Sequence, residues 1–300
     1  MSGPYAHMVV INEFTLPRLQ GLPGFPRRAI SAVLEYTRYA ELGSISPDFP
    51  DFDPLQSGWA DDMHKKRTGK LLREGVALVA SMSEDTAMQQ KCLAWLLGYA
   101  AHVATDVTVH PVVQLKSKGS MTEHHRCELN QDAYIWDRLG VGEVGAAKHF
   151  VGVNQCFSGG SLDPDIEALW AEMLRRTYPE EWTAPHKPRF ETWYRGFNAV
   201  VENIVTQGRA IPFGRHLLLQ IGVLYPARGA IEQQYIQALE VPVGPPQSYD
   251  AIFDRAVAST GQVWIDVARG ACEGDSTYQR SLQNWSLDTG RDEAGKLVFW

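Results

Sequence analysis

The feature that most constrains the fold is a long stretch of helical periodicity, Thr86–His110. Apolar residues recur along it at three- and four-residue steps, which is the spacing of a buried helix face. The stretch begins after Ser83, Glu84 and Asp85. We expect it to end at Pro111, because proline has no amide hydrogen and its ring clashes with the preceding turn. The pattern therefore predicts one long, largely apolar helix.

Helical periodicity also dominates the rest of the chain, and strand patterns are sparse. Further helices are predicted at Arg27–Glu41, Thr68–Ser83, Thr122–Arg138, Pro164–Thr177, Phe190–Gln207, Phe213–Tyr225, Ala230–Leu239 and Ser248–Cys272. Loops rich in Pro, Gly or acidic residues are predicted at Leu16–Pro26, Ser44–Ser57, Ser158–Pro164, Pro179–Pro188 and Val241–Gln247. We therefore predict an all-α fold. Since no loop is long and polar enough to divide the chain, we expect a single multi-helical domain over residues 1–300.

The charge of the chain argues against a broad nucleic-acid surface. The 300 residues carry a formal net charge of -7, and the pI is about 5.7. An acidic chain has no overall attraction for a phosphate backbone, although a small local basic groove is compatible with this charge. Charge thus disfavours duplex binding without excluding it.

Three weaker features bear on location. No apolar run approaches the roughly 18 residues that span a bilayer, and Met1–His7 lacks the basic and apolar regions of a secretory leader. The cysteines Cys92, Cys127, Cys156 and Cys272 have no CxxC spacing and are typical of reduced, buried thiols. We expect a cytoplasmic protein without a transmembrane segment, and leave export by a leaderless route open.

The long helix carries three metal-ligand residues on one face. His102, Asp106 and His110 stand at successive i, i+4 steps. Each step turns the face by roughly 40°, so the three side chains lie within roughly 80° of one another. Their neighbours are mostly alanine and valine, and burying a carboxylate among them without a charge partner is costly. A metal ion removes that cost, because His and Asp are ordinary zinc ligands.

The other histidines differ in what surrounds them. The next predicted helix repeats the i, i+4 arrangement with His124 and Glu128. His125 points about 100° away from His124 on a helix, so we expect it behind the ligands or at the surface. The remaining histidines away from these faces have no ligand-type partner at helical spacing and are interpreted as structural: His149, His186 and His216.

Residues 98–111, GYAAHVATDVTVHP, resemble the signature helix of the zinc-dependent phospholipase C family. The related zinc-dependent single-strand nucleases share that fold. The resemblance continues at His124, fourteen residues after His110, and at Glu128.

Three further motifs of this family have counterparts upstream of the signature helix. Leu42–Asp48 resembles the family loop that supplies a zinc-binding Asp, and His64 stands where the next histidine ligand follows. Near the start, His7 resembles the N-terminal histidine ligand. The resemblance spans residues 7–128, so the metal-site core is expected at about 1–150, with additional helices and a packed tail over 151–300.

The resemblance implies a trinuclear site with two or three Zn2+ ions per chain. One ion would be bound by Asp48, His64, His102 and Asp106, a second by His110, His124 and Glu128, and a third by His7, Asp106 and the N-terminal backbone. Asp106 would bridge two ions. The chain departs from the family in having no N-terminal Trp. Removal of Met1 would instead expose the amine of Ser2, five residues before His7.

A general base is expected beside the metals. Asp48 is the candidate to orient or deprotonate a water, because its predicted position on a loop leaves it free to face the substrate. Asp51 and Asp53 are alternatives on the same segment. Zinc ions would lower the pKa of the water and neutralise phosphoryl oxygens.

The resemblance implies a phospholipase C that cleaves glycerophospholipids to diacylglycerol and a phosphorylated headgroup, with transient contact with a membrane surface left open. Two alternatives stand beside it: a zinc nuclease or phosphomonoesterase on the same site, and a metal-stabilised binding protein without turnover. The nine tryptophans could include an aromatic wall for a choline-like headgroup, although core positions are more common. The run Lys65–Arg67 could meet phosphate, or simply start a solvated helix.

Overall fold

The computed structural model describes residues 3–142, 144, 150–199 and 225–300. Its first eight α-helices are α1 Pro4–Glu13, α2 Leu16–Gly21, α3 Arg27–Glu35, α4 Thr37–Ile45, α5 Gly58–Lys65, α6 Thr68–Ala80, α7 Ala87–Ser117 and α8 Met121–Trp136. Later helices are α9 Val151–Asn154, α10 Pro164–Thr177, a helix at residues 190–199, α11 Tyr249–Glu273 and α12 Tyr278–Ser281. Short 3-10 helices lie at Ser46–Phe52, Asp137–Leu139, Ala184–His186, Arg228–Ala230 and Gln233–Tyr235.

Strands are confined, within these ranges, to two small hairpins. β1 Phe157–Ser158 pairs antiparallel with β2 Ser161–Leu162, and β3 Trp285–Ser286 pairs antiparallel with β4 Arg291–Asp292. The prediction of an all-α fold is confirmed.

The central element is α7, which packs most extensively against α4 and α11. Thr86 caps it by accepting a hydrogen bond from the Gln89 amide. Its most apolar 18-residue window has a mean hydropathy of 1.3. By length and composition alone, such a helix could cross a membrane, which corrects the expectation that the chain contains no apolar stretch of that length. That whole window is buried inside the protein, as in a core helix.

The prediction that α7 ends at Pro111 is wrong, since the helix continues through it to Ser117. The proline leaves the Val107 carbonyl without its usual amide partner. Gly290, in a left-handed conformation with φ +65°, packs closely against both Pro111 and that carbonyl. The residues after the proline, Val112 and Val113, are fully buried, so apolar packing on both sides maintains the helix.

The approach of α4 to α7 depends on two glycines. A Cβ atom on Gly43 would lie 2.1 Å from the Trp95 carbonyl oxygen, and one on Gly98 would lie 2.0 Å from the Ala40 carbonyl oxygen. The two backbones are therefore in direct contact, which brings the end of α4 and the 3-10 helix after it onto the polar face of α7.

Several predicted boundaries differ from those observed. Arg27–Glu41 is two helices with a break at Tyr36, and the predicted loop Ser44–Ser57 contains the 3-10 helix Ser46–Phe52. The predicted helix Ala230–Leu239 is wrong, because only short 3-10 turns form there. The predicted helix Phe213–Tyr225 and the end of Phe190–Gln207 lie outside the described residues.

The C-terminal tail packs onto the helices, as expected. The Thr68 hydroxyl donates to the Trp285 carbonyl at 2.7 Å, and the Leu287 amide donates to the His64 carbonyl at 2.9 Å. The Trp300 indole donates to the Thr108 carbonyl at 2.9 Å. The tail thus contacts both α5 and α7 at the turns that carry histidines.

Candidate metal centre

The eight predicted ligands come together in one cluster although they lie on five elements. They are His7 on α1, Asp48 on the 3-10 helix, His64 on α5, His102, Asp106 and His110 on α7, and His124 and Glu128 on α8. All but His124 are buried. The expectation that Asp48 lies on an irregular loop is corrected, since it occupies the first turn of a 3-10 helix.

Four of these residues form a tight set, called here the four-residue group: Asp48, His64, His102 and Asp106. The two imidazole Nε2 atoms are 3.1 Å apart. Separations from these nitrogens to Asp48 Oδ1 and Asp106 Oδ2 run from 3.2 to 3.7 Å. Five of the six separations among these four ligand atoms are therefore 3.1 to 3.7 Å.

Backbone carbonyls fix the orientation of both imidazoles in this group. The His64 Nδ1 lies 2.7 Å from the Ala60 carbonyl oxygen, and the His102 Nδ1 lies 2.9 Å from the Ser44 carbonyl oxygen. A carbonyl can only accept, so each Nδ1 is the protonated donor and each Nε2 faces inward. Such outer hydrogen bonds are the usual way in which proteins orient metal-binding histidines.

The four-residue group fits a tetrahedral zinc ion. Bonds of about 2.0–2.1 Å to four tetrahedral ligands place neighbouring ligand atoms about 3.3 Å apart, close to the observed separations. In addition, two inward nitrogen lone pairs at 3.1 Å repel each other unless a cation lies between them. The donor set and its spacing therefore suit zinc.

His7 extends this set toward the N-terminus. Its ring stacks on His102 with centroids 4.1 Å apart, and its Nε2 lies 3.3 Å from Asp106 Oδ1. Its ring nitrogen also forms a triplet of ligand atoms within 4.8 Å of one another with Asp48 and His102, and His64, His102 and Asp106 form another such triplet. Met1 and Ser2, which would supply the N-terminal ligand, lie outside the described residues.

The remaining ligands, called here the three-residue group, are His110, His124 and Glu128. His124 Nε2 is 2.7 Å from Glu128 Oε1, a direct hydrogen bond. His110 Nε2 is 3.8 Å from the same oxygen and 3.4 Å from Asp106 Oδ1. Asp106 thus approaches the three-residue group as well, whereas the bridge that the resemblance implies would join the ion of the four-residue group to the ion held by His7.

The electrostatics of the cluster favour ionised carboxylates. Burial works to raise the pKa of Asp106, but His110, His102 and His7 hold it well below the usual value. Burial likewise opposes ionisation of Asp48, yet the neighbouring His102 and His64 lower its pKa. Burial lowers the pKa of His110 to about 4. Buried anionic carboxylates beside a neutral imidazole need a cation, which a metal ion provides.

His64 responds in the opposite sense. Burial works to lower its pKa, but the hydrogen bond and charge of Asp48 raise it to about 9. A proton on His64 is therefore the cation that this group holds when zinc is not bound.

A cavity of about 290 Å³ opens from the cluster to solvent. His64, His124 and Glu128 line its inner end. Further acidic residues and one lysine, Asp51, Asp61, Asp288 and Lys65, line its mouth together with His125, which is exposed as predicted. The lining residues include no Phe, Tyr or Trp, so an aromatic headgroup wall is not found among the described residues.

The alternative bases on the Asp48 segment differ in position. Asp51 lines the cavity mouth, and burial raises its pKa to about 6. Asp53 instead forms an ion pair with Arg189 at 2.7 Å and accepts from the Leu55 amide, so it is engaged in structural contacts. Asp48 is therefore the segment's carboxylate closest to the inward imidazoles.

Two carboxylates near the ligands were not predicted. Asp288, on the tail, lies 3.9 Å from His110 Nδ1 and 3.7 Å from Lys65 Nζ. Asp132 continues the i, i+4 face of His124 and Glu128 and is fully buried. The spacing of Asp132 was a usable signal, whereas nothing local to Asp288 indicates its position.

The remaining predictions concern residues outside the cluster. His186 is exposed, and its carbonyl accepts from the Trp59 indole at 2.7 Å. His149 and His216 lie outside the described residues. Cys92, Cys127 and Cys156 are buried and Cys272 is half-buried, all as free thiols.

Comparison with known families agrees with this geometry. The model of the zinc-dependent phospholipase C family matches residues 9–180, which is more than half of the chain. Seven of the eight cluster residues lie in this segment, and His7 precedes it. No curated protein and no solved structure matches the chain significantly. The resemblance found in the signature helix is thereby confirmed.

Proposed function

Because the chain belongs to the zinc-dependent phospholipase C family, we propose that it hydrolyses glycerophospholipids between glycerol and phosphate. The products are diacylglycerol and a phosphorylated headgroup. The observation that carries this proposal is the convergence of eight ligand-type side chains in one cluster, of which His64, His124 and Glu128 line a solvent-open cavity.

Two or three zinc ions are part of the proposal. The four-residue group would hold one ion and the three-residue group a second, while His7 and Asp106 would contribute to a third. Bound zinc lowers the pKa of a water and neutralises charge on phosphoryl oxygens and the leaving oxygen. The protein's contribution is to fix the ligands and leave the cavity open for substrate.

Asp48 is the proposed general base. Its lowered pKa keeps the carboxylate ionised at neutral pH, so it can accept a proton from water. The water oxygen then bonds to phosphorus, the bond from phosphorus to the glycerol oxygen breaks, and that oxygen takes up the proton that Asp48 received and leaves as a hydroxyl. His64, held by the Ala60 carbonyl, lies 3.2 Å from Asp48 Oδ1 and fixes the carboxylate's direction.

The mouth of the cavity supports a phospholipid over nucleic acid. Asp51, Asp61 and Asp288 place carboxylates there, and Lys65, the one lysine among the described lining residues, is already paired with Asp61 and Asp288. Such a mouth repels a polyanion and attracts an ammonium-bearing headgroup. Its described lining also includes no Phe, Tyr or Trp on which unpaired bases could stack.

A substrate panel tests the proposal. Purified protein is assayed against phosphatidylcholine, phosphatidylethanolamine, single-stranded DNA and a chromogenic phosphomonoester, with and without chelator. Chelator-sensitive release of diacylglycerol is the expected result. Cleavage of DNA or of the monoester alone would assign the site to the alternative hydrolases. Zinc binding without any turnover would indicate a binding protein.

Substitution of the segment's three acids tests the role of Asp48. Asp48→Asn should reduce kcat by roughly 10²- to 10⁴-fold, the usual contribution of a positioned base. Asp51→Asn and Asp53→Asn are the matched controls and should retain most activity if they stay folded. Full turnover by Asp48→Asn with normal zinc content would remove it from the mechanism.

A further inference from the structure

The first helix, which carries His7, has no N-terminal cap of its own. Gly3 precedes α1 and offers no side-chain hydrogen bond, and the first turn contains no acidic residue. The first amides of a helix need partners when they are buried. Two of them are satisfied from a distant helix, because Asp132 on α8 accepts from both the Tyr5 amide at 3.2 Å and the Ala6 amide at 2.9 Å.

Asp132 is completely enclosed in this position. Its side chain is 0% exposed, and its Oδ2 also accepts from the Tyr225 hydroxyl at 3.0 Å. Burial raises its pKa to about 7 although all three donors oppose the rise. A serine or threonine before Pro4 could cap α1 without burying a carboxylate. The costly arrangement suggests a task beyond helix stability.

The chain leading into α1 is shaped to this carboxylate. A Cβ atom on Gly3 would lie 2.0 Å from Asp132 Oδ2 and 2.4 Å from its Cγ. Any larger residue at position 3 would therefore displace either the carboxylate or the start of the helix. The contact between Gly3 and Asp132 thus sets where α1 begins.

Asp132 links α1, which carries His7, to α8, which carries His124 and Glu128. Asp132 follows Glu128 by one turn of α8, while His7 follows Ala6 directly on α1. A shift in the start of α1 would move His7, whose Nε2 lies 3.3 Å from Asp106 Oδ1 and whose ring stacks on His102. Because α1 is anchored to the helix of the three-residue group, His7 is placed relative to ligands more than 100 residues away.

We propose that Asp132 is a positioning residue for the metal centre, which locks the start of α1 so that His7 reaches Asp106. This inference rests on the proposed metal centre but not on the choice of substrate. It predicts that disturbing Asp132 removes the zinc that depends on His7 and leaves the four-residue group loaded.

The test measures zinc per chain and zinc affinity at buffered free zinc, together with thermal unfolding. The side chain of Asn has only one acceptor oxygen, and its NH2 group cannot accept from the donors around position 132. Asp132→Asn should therefore reduce the affinity for the His7-dependent zinc by about 10- to 100-fold. His7→Ala should lose the same ion. In the His7→Ala background, Asp132→Asn should cause no further loss, since coupled residues are not additive.

Matched variants separate positioning from simple stability. Asp163 also caps a helix, since it accepts from the Asp165 amide at 3.0 Å, and it accepts from the Tyr39 hydroxyl at 2.8 Å. It contacts none of the predicted metal ligands. Asp163→Asn should lower the unfolding temperature and keep all zinc. Gly3→Ala should mimic Asp132→Asn, whereas Gly21→Ala, with open space around its Cβ, should be neutral.

Several outcomes would overturn the inference. Full zinc affinity in folded Asp132→Asn would do so, as would additional zinc loss in the His7→Ala background. Equal loss from every site would show a merely structural role. If Asp132→Asn fails to fold, Tyr225→Phe is the substitute variant, since it removes one donor only. It should show a smaller loss of the same ion, and an unchanged zinc affinity would count against the inference. A wild-type protein without zinc would refute the metal centre itself, which distinguishes that failure from this one.

Discussion

The four-residue group and the three-residue group contain the same kinds of side chain but are held differently. In the first, both imidazoles donate to backbone carbonyls, and ligand atoms stand 3.1 to 3.7 Å apart. In the second, His124 and Glu128 bond directly to each other at 2.7 Å, and His110 lies 3.8 Å away. The first is spaced for a metal, and the second is partly satisfied by itself.

This difference indicates which of the two groups must rearrange more before it binds zinc. Zinc entering the four-residue group displaces the proton of His64 but meets ligands already oriented, so little structural reorganisation is required. Zinc entering the three-residue group must first separate His124 from Glu128 and desolvate two side chains that line the cavity. We therefore expect the four-residue group to bind zinc more tightly.

The largest expected effect comes from Asp106, which belongs to the four-residue group and also approaches His7 and His110. Asp106 lies within 3.2 to 3.6 Å of nitrogens of His7, His64, His102 and His110. Removing one partner of a buried charge pair costs about 3–5 kcal/mol, which is roughly 10²- to 4 × 10³-fold in affinity. Asp106→Asn should thus reduce total zinc content, measured by elemental analysis, far more than Asp48→Asn does.

The comparison fails if these two variants lose equal amounts of zinc. It also fails if Asp106→Asn loses only the ion of the four-residue group and keeps the His7-dependent ion, because the carboxylate would then not bridge the two. The isosteric amide keeps the volume of the side chain, so loss of packing is not the cause of the expected effect.

The next effect separates the two groups directly. Titration of the wild-type protein with a chelator should release zinc in two steps, the weaker from the three-residue group. His124→Gln should abolish that weaker step and leave the tighter step unchanged. His125→Gln is the matched control, since its ring is exposed beside His124 and contacts no carboxylate of the cluster. A single step in the wild type would contradict the difference in affinity.

Much of the centre was predictable because its signals are local. His102, Asp106 and His110 share one helix face, and His124 and Glu128 share another. The helical period alone therefore places the members of each set close together. Extending the second face by one more step would have found Asp132. These are contacts that a repeat of four residues encodes.

The failures arise where distant contacts override local preference. Pro111 does not end α7, because Gly290 packs against the turn whose hydrogen bond the proline removes. Ala230–Leu239 is not a helix, because its backbone bonds to α8 instead: the Glu232 amide donates to Asn130 at 2.8 Å, and Gln131 donates to the Tyr235 carbonyl at 3.2 Å. No pattern within either segment reveals these partners.

The smallest expected effect concerns the tail, which lies beyond the family match. Asp288 Oδ1 is 3.9 Å from His110 Nδ1, the nitrogen that faces no backbone carbonyl. A carboxylate behind a metal-binding imidazole raises its basicity and fixes its ring, which is worth at least about tenfold in affinity when a full hydrogen bond forms. Because 3.9 Å is longer than such a bond, Asp288→Asn should reduce the zinc affinity of the weaker step by at most about tenfold.

Asp61→Asn is the control, since Asp61 also pairs with Lys65 and lines the mouth but is not paired with His110. Equal changes in both variants would mean that the tail affects the mouth's charge rather than the ligand. A larger loss from the tighter step would show that Asp288 supports the four-residue group through the Leu287 contact to His64.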